Sequence, residues 1–189
     1  MSFRLFTLLR RIGSAPIALS LLVACLVLLG CDSKRQAISE ATSSLLSQLE
    51  PVRSSGVRHA ERLTDGVATR NGGYWKTDLT AVFTSASAFV EYDLGRLTEI
   101  QAVYLQGDNN DRYLISISED GLRYRRLWVA PAVRKRGVCE RFLDRLSGKG
   151  RYVRVSAEGG DGKYALTEVA LYAKIPEVFP PDFKRRSGI

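Results

Sequence analysis

The sequence predicts an all-β fold, an antiparallel β-sandwich or barrel, preceded by a signal peptide and a short helical tether. Between about Leu63 and Ala173, apolar residues recur with a period of two, as Tyr113, Ile115 and Ile117 do. Segments rich in Gly, Asp and Asn interrupt this alternation at the spacing of short strands joined by tight turns. With 189 residues, 45% of them hydrophobic, the chain is long enough for one globular core.

The alternation predicts a series of short strands in this region. They are Ala88–Leu94, Glu99–Gln106, Arg112–Ser118, Arg125–Val129, Val138–Leu143, Arg151–Ala157 and Leu166–Ala173. Turn-forming residues between them predict tight connections at Asp108–Asp111, Asp120–Gly121, Ser147–Gly150 and Gly159–Gly162. We expect the first strand to end at the turn glycine Gly95.

An export signal is predicted for residues 1–30. Arg4, Arg10 and Arg11 give the segment a positively charged start without any acidic residue, and an apolar run broken only by Ser20 follows from Ile17 to Leu29. This run is shorter than the roughly 20 apolar residues that a membrane-spanning helix needs. A cleavable signal peptide is therefore the better interpretation.

The end of this segment, Leu28–Cys31, resembles the lipobox of bacterial lipoproteins. The resemblance implies that Cys31 becomes the acylated first residue and anchors the protein to a membrane of the bacterial cell envelope. Stable anchoring of this kind requires more than one acyl chain. Asp32 resembles the residue that retains enteric lipoproteins at the inner membrane, which favours the periplasmic side of that membrane over the outer membrane or cell surface.

Residues 31–59 are predicted to form a tether and residues 175–189 a Pro-rich basic tail, on either side of a domain at 60–174. A short amphipathic helix, ended by Pro51, is predicted from the helical spacing of Ile38, Ala41, Leu45, Leu46 and Leu49. His59 has no neighbouring Cys or His and is expected at the surface. The tail, with three prolines and Lys184–Arg186, is expected to be mobile.

Charge and reactive residues restrict the possible functions. The formal net charge is +8, from 28 Lys and Arg against 20 Asp and Glu, and it falls to +5 once the three signal-peptide arginines are removed. Such an excess permits weak attraction to anionic surfaces. We expect no catalysis, because the single His59 lies in the tether and Cys139 is predicted to be a buried thiol without an adjacent base.

Six segments resemble, in order and spacing, the discoidin or coagulation factor 5/8 type C domain over residues 60 to 173. They are Leu63–Gly66, Tyr74–Trp75, Phe89–Gly95, Ser118–Gly121, Arg151–Val155 and Tyr164–Val169. The resemblance implies an antiparallel β-sandwich of the jelly-roll, galactose-binding-domain-like kind that serves as a non-catalytic binding module. In this family, loops at one end of the sandwich bind carbohydrates, phospholipid head groups or proteins.

The same resemblance implies a structural calcium site. The matching positions are Asp65, Thr69 and Glu168 through their side chains, and Arg62, Val67 and Thr167 through their carbonyl groups. Oxygen ligands from short loops suit this hard cation. The chain departs from the family pattern at Val67, where relatives often have Asp or Asn. An equally open alternative is that Asp65 caps a turn and Glu168 pairs with an arginine.

Ligand-binding candidates lie in the predicted loops. Tyr74 is expected to be exposed, whereas Trp75 is more readily a core residue. Asn109 and Asn110 could present amides to sugar hydroxyls, although turn formation explains them as well. The basic run Arg134, Lys135 and Arg136 is either a solvated face or a contact to an anionic surface.

The sequence therefore predicts a non-catalytic envelope lipoprotein whose discoidin-like domain recognises carbohydrate, as polysaccharide or surface glycan. The alternatives are a protein-binding module of an envelope complex and binding of anionic phospholipid. Nucleic acid is not an expected partner, despite the interleaved bases and aromatics of Arg123–Trp128, because the protein is predicted to be exported.

Overall fold

The computed structural model describes residues 43–186, and in this range the chain forms twelve strands and one short 3₁₀-helix, Ala60–Leu63. The strands are β1 (Arg53–Ser55), β2 (Val57–Arg58), β3 (Val67–Thr69), β4 (Ala81–Phe83), β5 (Phe89–Ile100), β6 (Ala102–Gly107), β7 (Arg112–Ser118), β8 (Arg125–Ala130), β9 (Cys139–Leu143), β10 (Gly148–Glu158), β11 (Tyr164–Tyr172) and β12 (Lys184–Arg186). No helix among these residues is long and apolar enough to cross a membrane.

Two five-stranded sheets form the sandwich. The first has the strand order β1-β5-β10-β7-β8 and the second the order β2-β4-β11-β6-β9. Every pairing within these two sheets is antiparallel. A small parallel sheet of β3 and β12 lies beside them. The predicted antiparallel β-sandwich is confirmed.

The core lies between the two sheets and is built by the alternation that the sequence shows. Tyr113, Ile115 and Ile117 of β7 are fully buried, as are Val153 and Val155 of the neighbouring strand β10. Burying one such aliphatic side chain contributes about 1.5–3 kcal/mol relative to leaving it exposed. The second sheet supplies the opposite half of the core from β6 and β11.

Strand β5 does not end at Gly95, as predicted, but continues to Ile100. Its pairing with β10 is interrupted by a bulge, in which residues 94–97 lie opposite Arg151. The Arg151 guanidinium donates to both carboxylate oxygens of Asp93, at 2.8 and 2.7 Å. Gly95, with φ +75°, takes the left-handed conformation inside this bulge, so the predicted turn residue bends a strand instead of ending it.

The segment Ser147–Gly150, predicted as a turn, mostly belongs to β10. A Cβ atom on Gly148 would lie 2.3 Å from Leu127 Cδ1, and one on Gly150 would lie 2.9 Å from Ile117 Cβ. Glycine is needed here for close packing against neighbouring strands, which sequence reasoning cannot separate from turn formation. The short strands β1 to β4 and β12 were not predicted, because two or three residues cannot show an alternating pattern.

The predicted tether helix is absent from the part of it that the structure describes. Residues 44–49 form turns, with Ser47 N–H donating to Ser44 C=O and Leu49 N–H to Leu46 C=O. Leu45 N–H instead donates to Leu171 C=O at 2.7 Å, and the Leu46 side chain is fully buried in the core. Docking onto the sandwich therefore replaces helix formation, while Ile38, Ala41, Cys31 and the signal peptide lie outside the described residues.

Residues 175–186 of the tail, which we expect to be mobile, pack on the outer face of the second sheet. Phe179 and Phe183 cover a small apolar cluster made of Ala102, Tyr104, Ala170 and Tyr172. Phe183 lies 4.6 Å from Tyr104 between ring centroids, and β12 pairs with β3. The two phenylalanines hold this segment against the sheet, because they bury apolar surface that the sheet would otherwise expose. The prolines, on which the expectation of mobility rested, do not prevent this packing.

Candidate functional site

Backbone hydrogen bonds join three loops at one end of the sandwich. They are the β3–β4 loop (70–80), the β6–β7 loop (108–111) and the β8–β9 loop (131–138). Gly72 N–H donates to Val138 C=O at 2.7 Å and Val138 N–H donates to Gly73 C=O at 3.0 Å. Val133 N–H donates to Asn109 C=O at 2.8 Å. We call this set of loops the loop end; it carries all six ligand-binding candidates of the sequence analysis.

The aromatic candidates differ from expectation in one respect. Tyr74 is 66% exposed, as predicted. Trp75 is not a core residue, which corrects the sequence prediction: it is half-buried beside Tyr74, with 5.8 Å between the ring centroids. Its loop lies outside the two sheets, so the side chain has no position between them to fill. The pair forms an aromatic patch on the β3–β4 loop.

The polar candidates are accessible. Asn110, Arg134, Lys135 and Arg136 are exposed and Asn109 is half-buried. Lys135 and Arg136 line a cleft. The other four candidates, Arg134, Asn109, Asn110 and Tyr74, belong to the loop end but do not line this cleft. The six candidates and the cleft thus lie at the same end of the sandwich, but only two of the six line the cleft.

This cleft, which we call the basic cleft, has a volume of about 310 Å³. It is lined by Asn71, Gly72, Lys135, Arg136, Cys139, Glu140 and Phe142. Phe142 is 48% exposed, so part of its ring face is available to a ligand. Cys139 is buried, as predicted, and its thiol contacts the carbonyl oxygen of Gly137 at 3.3 Å. The cleft thus combines an aromatic surface with cationic and amide groups.

Glu140 is held by groups from two other parts of the chain. The Arg185 guanidinium in β12 donates to its carboxylate at 2.8 Å, and the Tyr104 hydroxyl donates to the same oxygen at 3.2 Å. Burial alone would raise the pKa of Glu140, but the polar neighbours Asn71 and Arg185 hold it below its ordinary value. The carboxylate is therefore ionised at neutral pH and already paired.

Sequence reasoning missed Asn71, Glu140 and Phe142. Within β9, Glu140 and Phe142 pair with Gln106 and Tyr104 and so share the outer face of the second sheet. Glu140 and Phe142 do alternate with a buried residue, as in a strand with one outward face. That buried residue is Arg141, and a charged side chain does not indicate burial in the sequence. Asn71 carried no signal, because its position depends on a hydrogen bond from Gln106 Nε2 at 3.0 Å.

A buried polar cluster supports the β6–β7 loop from below. The Tyr113 hydroxyl donates to the Asp108 carboxylate at 2.8 Å, and the Arg141 guanidinium donates to the Asp108 carbonyl oxygen. Asp111 is fully buried and neither of its carboxylate oxygens has a hydrogen-bond partner among the described residues. Burial, together with the charge of Asp108, raises the pKa of Asp111 to about 8.

The residues that the resemblance implies for calcium are only partly brought together. Glu168 Oε2 accepts N–H bonds from Gly66 at 2.9 Å and Val67 at 3.1 Å. Burial, together with the charge of Asp65, raises the pKa of Glu168 to about 9. Two carboxylates therefore lie near each other, and the loop amides of Gly66 and Val67 face one of them.

The third side chain of that set, Thr69, is engaged elsewhere. Its hydroxyl and its N–H both donate to Gln106 Oε1, at 3.2 and 2.8 Å, and the Thr167 hydroxyl donates to the same oxygen at 2.5 Å. Asp65 Oδ1 accepts the Val67 N–H at 2.9 Å, and its other oxygen lies 3.5 Å from Arg62. Among residues 43–186 no group of three or more His, Cys, Asp or Glu side chains could hold a metal, so calcium would also require carbonyl ligands.

No family model and no curated protein sequence matches the chain. Three similar solved structures are binding modules, and the chain covers nearly all of each. The CBM32 of AlyQ in complex with 4,5-unsaturated mannuronic acid is 17% identical over 66% of this chain and 97% of that one, with a TM-score of 0.46. A chitosan-binding module from a Paenibacillus sp. IK-5 chitosanase/glucanase is 18% identical over 68% and 98%, with a TM-score of 0.48.

The third is the lectin domain of lectinolysin complexed with Lewis B antigen, 16% identical over 69% of this chain and 96% of that one, with a TM-score of 0.47. Two other matches are to longer chains: the chain spans 28% of SpGH29 and 35% of a truncated AlyQ that also contains an alginate lyase domain. The three modules are named as CBM32, chitosan-binding and lectin domains, and they identify no ligand for this chain.

Proposed function

We propose that the protein is a non-catalytic carbohydrate-binding module and that the basic cleft is its binding site. The observation that carries this proposal is the composition of the cleft, in which a half-exposed phenylalanine, Phe142, lies beside Asn71, Lys135 and Arg136. Concave sites with an apolar wall and a few polar groups are the usual form of small-ligand sites. The volume of about 310 Å³ is at the small end of such sites and suits one or two sugar rings.

Each part of the cleft has a role in this proposal. The ring face of Phe142 packs against the C–H face of a pyranose, as aromatic faces do with apolar partners. Arg136 and Lys135 donate hydrogen bonds to oxygen atoms of the sugar. The backbone bonds between the loops fix these groups before a ligand arrives, which lowers the entropic cost of binding.

A glycan array tests the proposal with the full chain, purified in detergent. We expect specific binding to at least one glycan and loss of that binding in Phe142→Ala. The matched control is Leu122→Ala, since Leu122 is 82% exposed and lies in the β7–β8 connection at the opposite end. A folded protein that binds no glycan, or equal binding by both variants, would contradict the proposal and favour the assembly of an envelope complex.

We further propose that Cys31 carries a lipid anchor, so that the module is displayed from a bacterial envelope membrane. The charge and cleavage pattern of residues 1–31 supports this. Cells fed an alkyne-labelled fatty acid should label the wild-type chain and not Cys31→Ser, with Cys25→Ser as the control. Membrane fractionation then distinguishes the inner membrane, which Asp32 favours, from the outer membrane.

Calcium at Asp65 and Glu168 is part of the same proposal. The residues fit in part: the two carboxylates lie near each other, and Arg62, Val67 and Thr167 could add carbonyl oxygens. Bound calcium would neutralise these carboxylates and stabilise the loop that joins the 3₁₀-helix to β3. Thr69 would join the ligand set only if its hydroxyl left Gln106.

A further inference from the structure

We infer that the basic cleft selects carboxylated glycans, such as polysaccharides that contain uronic acids, over neutral ones. This inference rests on the proposed carbohydrate-binding function and names the chemical class of its ligand. The supporting observations are the charges of the side chains in the cleft and the pairing of its carboxylate, Glu140, with Arg185 of the tail.

Two cations face the cleft without a partner. Lys135 and Arg136 are exposed, and neither forms a salt bridge with any described residue. Arg134, immediately before them, is also exposed and forms no salt bridge with a described residue. A guanidinium group matches a carboxylate with two parallel hydrogen bonds, which makes Arg136 the natural anchor for an anionic sugar.

Glu140 is the one acid among the described residues that line the cleft, and its charge does not cancel these cations. Arg185 pairs with it at 2.8 Å, and Tyr104 donates to the same oxygen. The pair Glu140–Arg185 is neutral as a unit, so the cleft retains the two positive charges of Lys135 and Arg136. The tail strand β12 therefore sets the charge of the cleft, through Arg185 as a positioning residue.

The shape of the cleft favours a sugar over a lipid head group. The cations line a concavity whose wall includes a half-exposed aromatic ring, Phe142. Surface binding to anionic lipids is instead strengthened by apolar side chains that insert beside the basic residues. Within the loop 131–138, the residues immediately before and after the basic run are Val133 and Gly137, and both are half-buried. Neither is exposed for insertion beside the cations, and the exposed ring of Tyr74 belongs to a different loop.

Paired oligosaccharides test the inference. The probes are oligogalacturonate and oligomannuronate, each beside its carboxyl-reduced neutral form of equal length, measured by calorimetry with the full chain in detergent. We expect the acidic form of at least one pair to bind about tenfold or more tightly than its neutral form at low salt, as a charged hydrogen bond would give. The preference should decrease as salt rises, because the cations are exposed.

Charge variants locate the effect. Lys135→Gln with Arg136→Gln should remove the preference for the acidic form and leave the circular dichroism spectrum unchanged. The matched control removes two exposed cations at the opposite end of the sandwich, Arg96→Gln with Arg123→Gln, and should keep the preference. Equal loss in both double variants would mean that net charge, and not the cleft, attracts the glycan.

A second pair of variants tests the part of Arg185. Arg185→Gln leaves the Glu140 carboxylate unpaired beside the ligand and should weaken binding of the acidic oligosaccharide several-fold. Adding Glu140→Gln removes that charge and should restore binding. If Arg185 acted through the fold alone, the double variant would bind as weakly as the single one.

The same measurements separate an error in the ligand class from an error in the proposed function. Equal affinity for acidic and neutral forms, or binding only of neutral glycans on the array, would overturn the inference while the module remains a carbohydrate binder. No binding of any glycan would overturn both. Binding to phosphatidylcholine vesicles that contain phosphatidylglycerol, but not to either acidic oligosaccharide, would also overturn the inference and assign the cations to a lipid surface.

Discussion

Gly137 and Gly73 approach each other so closely that no side chain fits between them. A Cβ atom on Gly137 would lie 2.3 Å from the Gly73 carbonyl oxygen, and φ at Gly137 is +67°. The neighbouring residue Val138 accepts a backbone hydrogen bond from Gly72 N–H and donates one to Gly73 C=O. The loop that carries Lys135 and Arg136 is therefore held against the loop that carries Asn71 by a contact that only glycine permits.

Gly137→Ala should separate these loops. We expect a loss of about 3 kcal/mol in unfolding free energy, from the left-handed backbone and the overpacked contact together. Gly162→Ala is the matched control, since Gly162 has φ +78° but nothing within 4 Å of a built Cβ; it should cost about 1 kcal/mol. Urea unfolding measures both, and similar losses in the two variants would show that the close contact contributes little.

A buried carboxylate on the outer face of the first sheet should contribute strongly to stability. Glu91 is 2% exposed and accepts bonds from Arg53 Nε and Nη2 at 2.6 and 2.9 Å and from Arg154 Nε at 2.5 Å. Arg154 is itself stacked between Phe89 and Tyr124, at 4.7 and 4.0 Å from the ring centroids. Glu91→Gln should cost about 2 kcal/mol at neutral pH, as the loss of charged hydrogen bonds to partly exposed arginines does.

This cost should depend on pH. Burial would raise the pKa of Glu91, but its bonds with Arg53 and Arg154 hold it below the ordinary 4.5. A depressed pKa means that the stabilisation is present above about pH 4.5 and is lost as the pH falls through the lower folded value. The difference between wild type and Glu91→Gln should therefore shrink under acid conditions, while the exposed Glu99→Gln changes little at any pH. A constant difference would contradict the assignment.

Asp111 should make the domain less stable in alkaline solution. Its pKa is raised from 3.8 to about 8, so the folded state holds a proton that the unfolded state releases, and stability falls as the pH rises from about 4 through 8. The charged groups that face it are Asp108, Asp161 and Arg141. Asp111→Asn should flatten this decrease and raise the melting temperature at pH 9 by about 2–4 °C for each kcal/mol regained.

The exposed Asp144→Asn is the control for that experiment, because it removes one negative charge away from the cluster. Melting temperatures are compared from pH 5 to pH 9. A variant Asp111→Asn that melts in parallel with wild type at every pH would show that Asp111 is ionised in the fold throughout.

Calcium should stabilise the protein if the proposed site forms. Adding calcium at 100 times its dissociation constant would raise the unfolding free energy by about 2.7 kcal/mol, and a chelator would reverse this. Glu168→Gln should abolish the effect, whereas Glu158→Gln, whose carboxylate pairs with Arg112 at 3.0 Å, should not. No change in melting temperature with calcium would leave Glu168 as a metal-free acceptor for the Gly66 and Val67 amides.

The sheet architecture could be predicted because local pattern and tertiary environment agree there. Every long strand from β5 to β11 overlaps a predicted one, because alternate residues of these strands face the core between the two sheets. The prediction of a helix in the tether was wrong because local pattern and tertiary environment disagree there. The leucines at 45, 46 and 49 have helical spacing, but the sandwich offers Leu45 a carbonyl partner at Leu171 and Leu46 a place in the core.

The candidate site likewise contains residues that the sequence could predict and residues that it could not. Loop chemistry was sufficient to select Lys135 and Arg136, because turn residues and basic runs are local features of the sequence. Phe142 and Glu140 could not be selected, since they lie on a sheet face whose exposure depends on where the tail packs. Phe179, which touches Phe142 edge-on at 5.7 Å, is 37 positions away along the chain.

The sequence by itself determined the all-β architecture, the approximate positions of the long strands and the loops that meet at one end of the molecule, because alternation and turn residues act over a few neighbouring positions. Only the tertiary structure decided which side chains line the cleft and what charge it carries. That charge depends on Arg185 reaching Glu140 across 45 residues of sequence, through a strand pairing that no local pattern encodes.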